Sequence, residues 1–246
     1  MFRLSILFIF ISTTLNAQTF TNLYKINSVK GKTPSVVEEA EFAVEADDGG
    51  YLVAGKIPLD PSGGATNPYL LKLSSSGDSL WSKVYDVNWV SGDPFKFYKD
   101  GSGNLKMAVS AQLSGPEERA MILTLDETDG SMIKSETLPK HKNTTDMGAY
   151  YDLEILPDGA MILAFRDDAA GGGPAGDVGH TYKINANGTL GWQFEHDGTN
   201  ASYQYFHDLY WDGKSILGTG MEVSGSNSYI GQWVVSSLDT AGKLEW

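Results

Sequence analysis

Asp48-Gly49-Gly50-Tyr51-Leu52-Val53-Ala54-Gly55 decides the fold, because the stretch returns three more times along the chain. Its returns are Ser102-Gly103-Asn104-Leu105-Lys106-Met107-Ala108-Val109, Asp158-Gly159-Ala160-Met161-Ile162-Leu163-Ala164-Phe165 and Asp212-Gly213-Lys214-Ser215-Ile216-Leu217-Gly218-Thr219. Aligned on these residues, the second position is always glycine, the sixth is apolar, and the seventh is Ala54, Ala108, Ala164 or Gly218. The steps are 54, 56 and 54 residues, a period that marks a repeat architecture.

Each copy carries strand and turn chemistry. In the first, residues 42–46, 51–56, 69–73 and 79–85 read as four strands. Asp48-Gly49 is a tight turn between the first two, where glycine tolerates a positive φ. Ser74-Ser75-Ser76-Gly77-Asp78 is a second turn, and it recurs at Asp126–Gly130, Asn185–Gly188 and Asp239–Gly242. Four residues beyond its glycine stand Trp81, Lys134, Trp192 and Trp246.

Four short antiparallel strands per unit of some fifty residues describe the blade of an all-β β-propeller. The small seventh position suits a crowded strand near the axis, and the repeated tryptophan suits packing of one blade on the next. A β-sandwich also uses many short strands, but it does not demand the period. The repeats divide the chain into blades at about 36–90, 91–145, 146–200 and 201–246, after an N-terminal strand and linker at 18–35. The fourth copy ends at Trp246 inside its last strand, so the expectation is an incomplete ring, a fragment of a larger propeller; the alternative is ring closure by the segment Phe20–Ile26.

The pattern DGGYLVAG followed by YLLKLSSSGDSLWSKVY, at residues 48–55 and 69–85, resembles the repeats of secreted bacterial β-propeller proteins of Bacteroidetes type, which often carry a C-terminal sorting domain. LDETDGSMIK and LDTAGKLEW are similar to the tryptophan-docking motif of quinoprotein-like propellers. The resemblance spans residues 36–246 and implies a scaffold rather than a particular reaction.

Residues 1–17 have the layout of a secretory signal peptide: a basic start at Arg3, an apolar run from Leu4 to Ile11, and Ala17 before Gln18. The alternative is an anchoring helix, for which the run is short. Cysteine is absent, which excludes disulfides, thiolate metal sites and a cysteine nucleophile. Setting Arg3 aside with the leader leaves 17 basic and 31 acidic side chains, a net charge of −14. Such a surface repels phosphate backbones and anionic lipid, so the expected partners are a glycan or an extracellular protein, with no nucleic acid and no membrane insertion after signal removal.

In a propeller the tight turns share one face and the long connections share the other, where binding residues concentrate. The candidate ligand-binding residues there are Trp89, Asp93, Asp167, Asp168, Asp177, His180, His196 and Tyr203. The acidic groups of the Gly-rich loop after Arg166 would offer hard oxygen ligands to calcium, although without the spacing of a calcium motif. His180 takes a place filled by Tyr69, Met121 and Val234 elsewhere, which suits either a packed histidine or a ligand. Aromatic rings beside carboxylates, as at Trp89 with Asp93, suit stacking on sugars and equally suit core packing.

No nucleophile elbow, H-E-x-x-H motif, phosphate loop or dinucleotide fingerprint occurs, and no cofactor or catalytic residue is implied. The leading expectation is a secreted or cell-surface scaffold for binding or adhesion. The alternative is a carbohydrate-active hydrolase or lyase whose acids come from distant blades, and more remotely a quinoprotein-like dehydrogenase.

Overall fold

The computed structural model describes residues 39–58, 66–85, 91–100, 102–112, 118–139, 148–167, 178–196, 202–224 and 230–246. Fifteen β-strands and no helix occur among them. They form successive antiparallel sheets in chain order, which is the arrangement of a β-propeller. Blade 1 comprises β1 (Glu39–Glu45), β2 (Tyr51–Pro58), β3 (Thr66–Leu73) and β4 (Ser79–Val84). Blade 2 comprises β5 (Ser91–Lys99), β6 (Leu105–Gln112), β7 (Glu118–Leu125) and β8 (Met132–Thr137). Blade 3 comprises β9 (Gly148–Ile155), β10 (Met161–Asp167), β11 (Val178–Ile184) and β12 (Leu190–His196). Blade 4 has β13 (Ser202–Trp211), β14 (Ile216–Ser224) and β15 (Ile230–Leu238), and residues 244–246 add a short edge to β15.

The first strand of each blade is the inner one: β5 packs on β1, β2 and β3, and β13 packs on β9, β10 and β11. The fourth strands lie outside, and β8 is exposed along its whole length. Three apolar clusters occupy the seams. Leu52, Ala54 and Leu70 meet Met107, Leu123 and Leu125 between blades 1 and 2. Ala108 and Ile122 meet Tyr150, Leu163 and Tyr182 between blades 2 and 3. Ile162 and Ala164 meet Phe206, Leu209 and Ile216 between blades 3 and 4. Among the described residues, no apolar cluster joins blade 4 to blade 1.

The repeated tryptophan docks as the repeat implied. Trp81 Nε1 donates to the Thr128 carbonyl of the next blade at 2.9 Å, with its ring against Gly130. Trp192 does the same to Thr240 at 2.8 Å, with its ring against Gly242. Both glycines have positive φ, and a Cβ on either would collide with the indole. Where blade 2 substitutes Lys134, a Cβ on the receiving Gly188 of blade 3 would meet nothing within 4 Å.

The alignment of the fourth copy needs a correction. In blades 1 to 3 the first turn spans five residues between paired strand ends, as between Glu45 and Tyr51 or Ile155 and Met161. In blade 4 Trp211 pairs with Ile216, and the turn closes one residue earlier through Asp212 N to Ser215 O. A slip of one residue turns every side chain to the opposite face. Thr219, opposite Asp208, therefore takes the place of Ala54, Ala108 and Ala164, which lie opposite Phe42, Lys96 and Asp152. Gly218 instead lies under the Phe206 ring of its own blade, where a side chain would clash. The three alanines are fully buried, on the second strand rather than the innermost one, and each faces the following blade.

Candidate functional site

Every first strand carries a β-bulge at the same level, and the extra residues are Glu41, Phe95, Tyr151 and His207. A bulge leaves one residue unpaired and re-aims its side chain, and such positions cluster near working sites. No local sequence motif announces them, because a bulge is a property of strand pairing. Their signal is spacing alone, at steps of 54, 56 and 56 residues.

Two of these residues meet at the seam of blades 3 and 4, toward the strand ends that lead into the long loops. Tyr151 and His207 place their ring centroids 4.9 Å apart, edge to face. The Arg166 guanidinium lies 5.9 Å from the Tyr151 ring centroid, on its face. All three side chains are half-buried. Burial holds His207 below the usual imidazole range; Arg166 reinforces this and Asp208 opposes it. At neutral pH the cluster therefore presents an aromatic face, a neutral imidazole and a fixed cation.

Beneath it lies a packed aromatic layer. Phe165 packs against Tyr150, with 4.7 Å between centroids, and His180 stacks against Phe165 at 6.1 Å. Tyr182 donates to the Tyr150 hydroxyl at 3.3 Å, and burial pushes its phenol well up. His196 Nε2 lies 2.8 Å from Thr181 Oγ1, and its ring meets Phe206 at 4.2 Å across the seam. Burial holds His196 down to about 4, so it is neutral at neutral pH.

The expected site residues divide accordingly. Asp167, His180, His196 and Tyr203 come to the loop-bearing end of blades 3 and 4, and Asp93 to that of blade 2. His180 and His196 are each 4 % exposed and pack against Phe165 and Phe206. Trp89, Asp168 and Asp177 lie outside the described residues, as do residues 1–38.

Closer to the tight turns, three inner strands are tied by carboxylates. Asp152 receives Lys96 Nζ at 2.9 Å and the Leu209 N–H at 2.7 Å, joining blades 2, 3 and 4. Glu154, raised chiefly by burial, accepts the Trp211 N–H at 3.3 Å. Asp152 is buried and accepts a bond at each oxygen, so it ties the three inner strands together. Among the described residues no group of three or more His, Asp or Glu is placed to hold a metal ion, and no helix is long and apolar enough to cross a membrane.

No protein-family model and no curated protein matches the chain. Among solved structures it is similar to a candidate exo-β-1,3-galactanase from Bifidobacterium bifidum s17, with 11% identity, a TM-score of 0.55, and coverage of 89% of this chain and 74% of that one. It is also similar to a protein of unknown function from Dyadobacter fermentans DSM 18053, with 16% identity, a TM-score of 0.47, and coverage of 79% and 51%. A third is the α-L-arabinanase of Cellvibrio cellulosa complexed with arabinohexaose, with 11% identity, a TM-score of 0.48, and coverage of 82% and 74%. At such identity the first likeness speaks for fold alone, and it agrees with the strand order and blade packing: the chain folds as blades of a β-propeller.

Proposed function

We propose that this chain is an exported propeller that binds a glycan without turning it over, at the loop-bearing end of blades 3 and 4. The observation that carries the reading is the half-buried group of Tyr151, Arg166 and His207. The Tyr151 ring with the Arg166 guanidinium over it offers a sugar ring apolar surface and hydrogen-bond donors. An acidic protein suits a neutral ligand. Export rests on the leader-like residues 1–17.

The test is binding of a panel of neutral oligosaccharides, followed by calorimetry on the best ligand. Tyr151→Ala is expected to weaken binding by about tenfold, or about 1.4 kcal/mol. Release of reducing ends from any bound glycan would replace this reading with a hydrolase. Unchanged affinity in the variant would move the site elsewhere, and export is checked by an N-terminus at Gln18 in protein recovered from the medium.

A further inference from the structure

The turns that lead into the fourth strands are not equally covered. Trp81 lies over Gly130 in the turn of blade 2, and Trp192 lies over Gly242 in the turn of blade 4. Among the described residues the turn of blade 3, at 185–189, has no such ring above it. The matching position on blade 2 is Lys134, whose ammonium turns instead to Glu136 of its own strand at 2.6 Å.

That uncovered turn holds the one Asn-Gly pair in the sequence, Asn187-Gly188. Both residues are exposed, and Gly188 has a φ of 82°. Asn187 Oδ1 accepts from Thr189 N at 3.1 Å and from Thr189 Oγ1 at 2.7 Å. Two donors on an amide oxygen draw electron density from its carbon and stabilise the negative charge that develops there when a nucleophile adds. The nucleophile next along the chain is Gly188 N, which carries no side chain to hinder its approach.

We propose that Asn187 is a site of spontaneous modification, where Gly188 N closes on Asn187 Cγ to form a succinimide that water opens to isoaspartate or aspartate. The bond from Cγ to Gly188 N forms and the bond from Cγ to Nδ2 breaks, so Nδ2 leaves as ammonia with the proton from Gly188 N. Water then adds to either imide carbonyl; the net change is a water consumed and an ammonia released. Gly188 N must first release the Asn185 carbonyl, to which it donates at 2.8 Å. The equivalent bonds, Gly130 N to Asp126 O and Gly242 N to Asp239 O, sit under indoles, whereas this one opens toward solvent.

The other described asparagines are poorly placed for the same step. Asn67 precedes Pro68, which has no N–H, while Asn104 and Asn185 precede Leu105 and Ala186, whose side chains crowd the attack. Asp48, Asp129 and Asp212 precede turn glycines, but Lys72, the Ser131 N–H and the Ser215 N–H respectively hold their carboxyls below the usual range. An ionised carboxylate is a poor electrophile. Isoaspartate adds a backbone atom between β11 and β12. Because β12 carries Trp192 and His196, which both meet blade 4, the altered turn loosens that seam.

The full chain, folded and held at mildly alkaline pH, is sampled over days, digested and read by tandem mass spectrometry, with isoaspartate detected by enzymatic methylation. Asn187 is expected to change ahead of every other asparagine, and Asn187→Gln to abolish the signal. Lys134→Trp, which supplies the missing ring, is expected to slow the change by about threefold or more. Thr189→Val, which removes one donor from Oδ1, is expected to slow it by a similar factor. An intact Asn187 in the folded protein, under conditions where the urea-unfolded chain is modified, overturns the proposal. So does a rate that neither Lys134→Trp nor Thr189→Val alters.

Discussion

Blades 3 and 4 carry the same repeat and end in different surroundings. Trp192 and Trp246 occupy one repeat position. The first is docked on Gly242 and bonded to Thr240, whereas the second is 64% exposed. Asp152 and Asp208 also occupy one position; the first is buried between blades and the second lies in solvent. The same residue type is core in one blade and surface in the next. Burial in this fold is therefore conferred by the neighbouring blade more than by the sheet to which the residue belongs.

The largest expected effect is at Gly242, where a side chain meets both a positive φ and the Trp192 ring. Gly242→Ala should cost about 4 kcal/mol in urea unfolding, from backbone strain and overpacking together. Gly213→Ala, with positive φ and open space around it, should cost about 1 kcal/mol. Equal losses would show that strain alone governs both turns.

Next comes pH, through His196 in the blade 3 to blade 4 seam. Its folded pKa, about 4, lies below the ordinary value of 6.5, so the unfolded chain takes up the proton first as pH falls. The contribution is complete above pH 6.5 and is lost progressively down to about 4, amounting to roughly 3 kcal/mol at most. Unfolding measured at pH 7 and pH 4.5 should fall more steeply for the parent than for His196→Gln. Parallel profiles would mean that the imidazole is not what the seam protects.

Smaller effects separate the paired positions directly. Asp152→Asn should destabilise by about 2 kcal/mol, because it leaves Lys96 and the Leu209 N–H with a weaker acceptor. Asp208→Asn should stay within about 0.5 kcal/mol. Trp192→Phe should lose about 1 kcal/mol with the Thr240 bond, and Trp246→Phe much less. Thermal melts of the four variants would blunt the contrast if each pair responded alike.

Much of the architecture could be read from the chain because its determinants are local and periodic. A glycine at each turn, an alternating strand and a tryptophan four residues past the second glycine all recur within fifty-odd residues, and the structure places the turn glycines and the docked Trp81 and Trp192 as expected. The shortened turn of blade 4 is hidden in the sequence because Asp212-Gly213 preserves the turn glycine while the residue count changes around it. Its trace was Ser215, polar where the other copies have Tyr51, Leu105 and Met161.

The site was less legible. Asp167 and Tyr203 border the long loops, whereas Tyr151 and His207 owe their position to bulges that depend on partner strands. Burial of His180 and His196 likewise follows from the packing of Phe165 and Phe206, which no single-strand pattern announces.

The glycine turns have an outcome beyond the stability of any one blade. Among the described residues the eight positive-φ glycines, from Gly49 to Gly242, sit on the same rim of the molecule. That rim is consequently intolerant of insertions, and the opposite rim is correspondingly permissive. Selection, or an engineer, is able to lengthen or exchange the connections on the permissive side while the register of every sheet stays pinned from below.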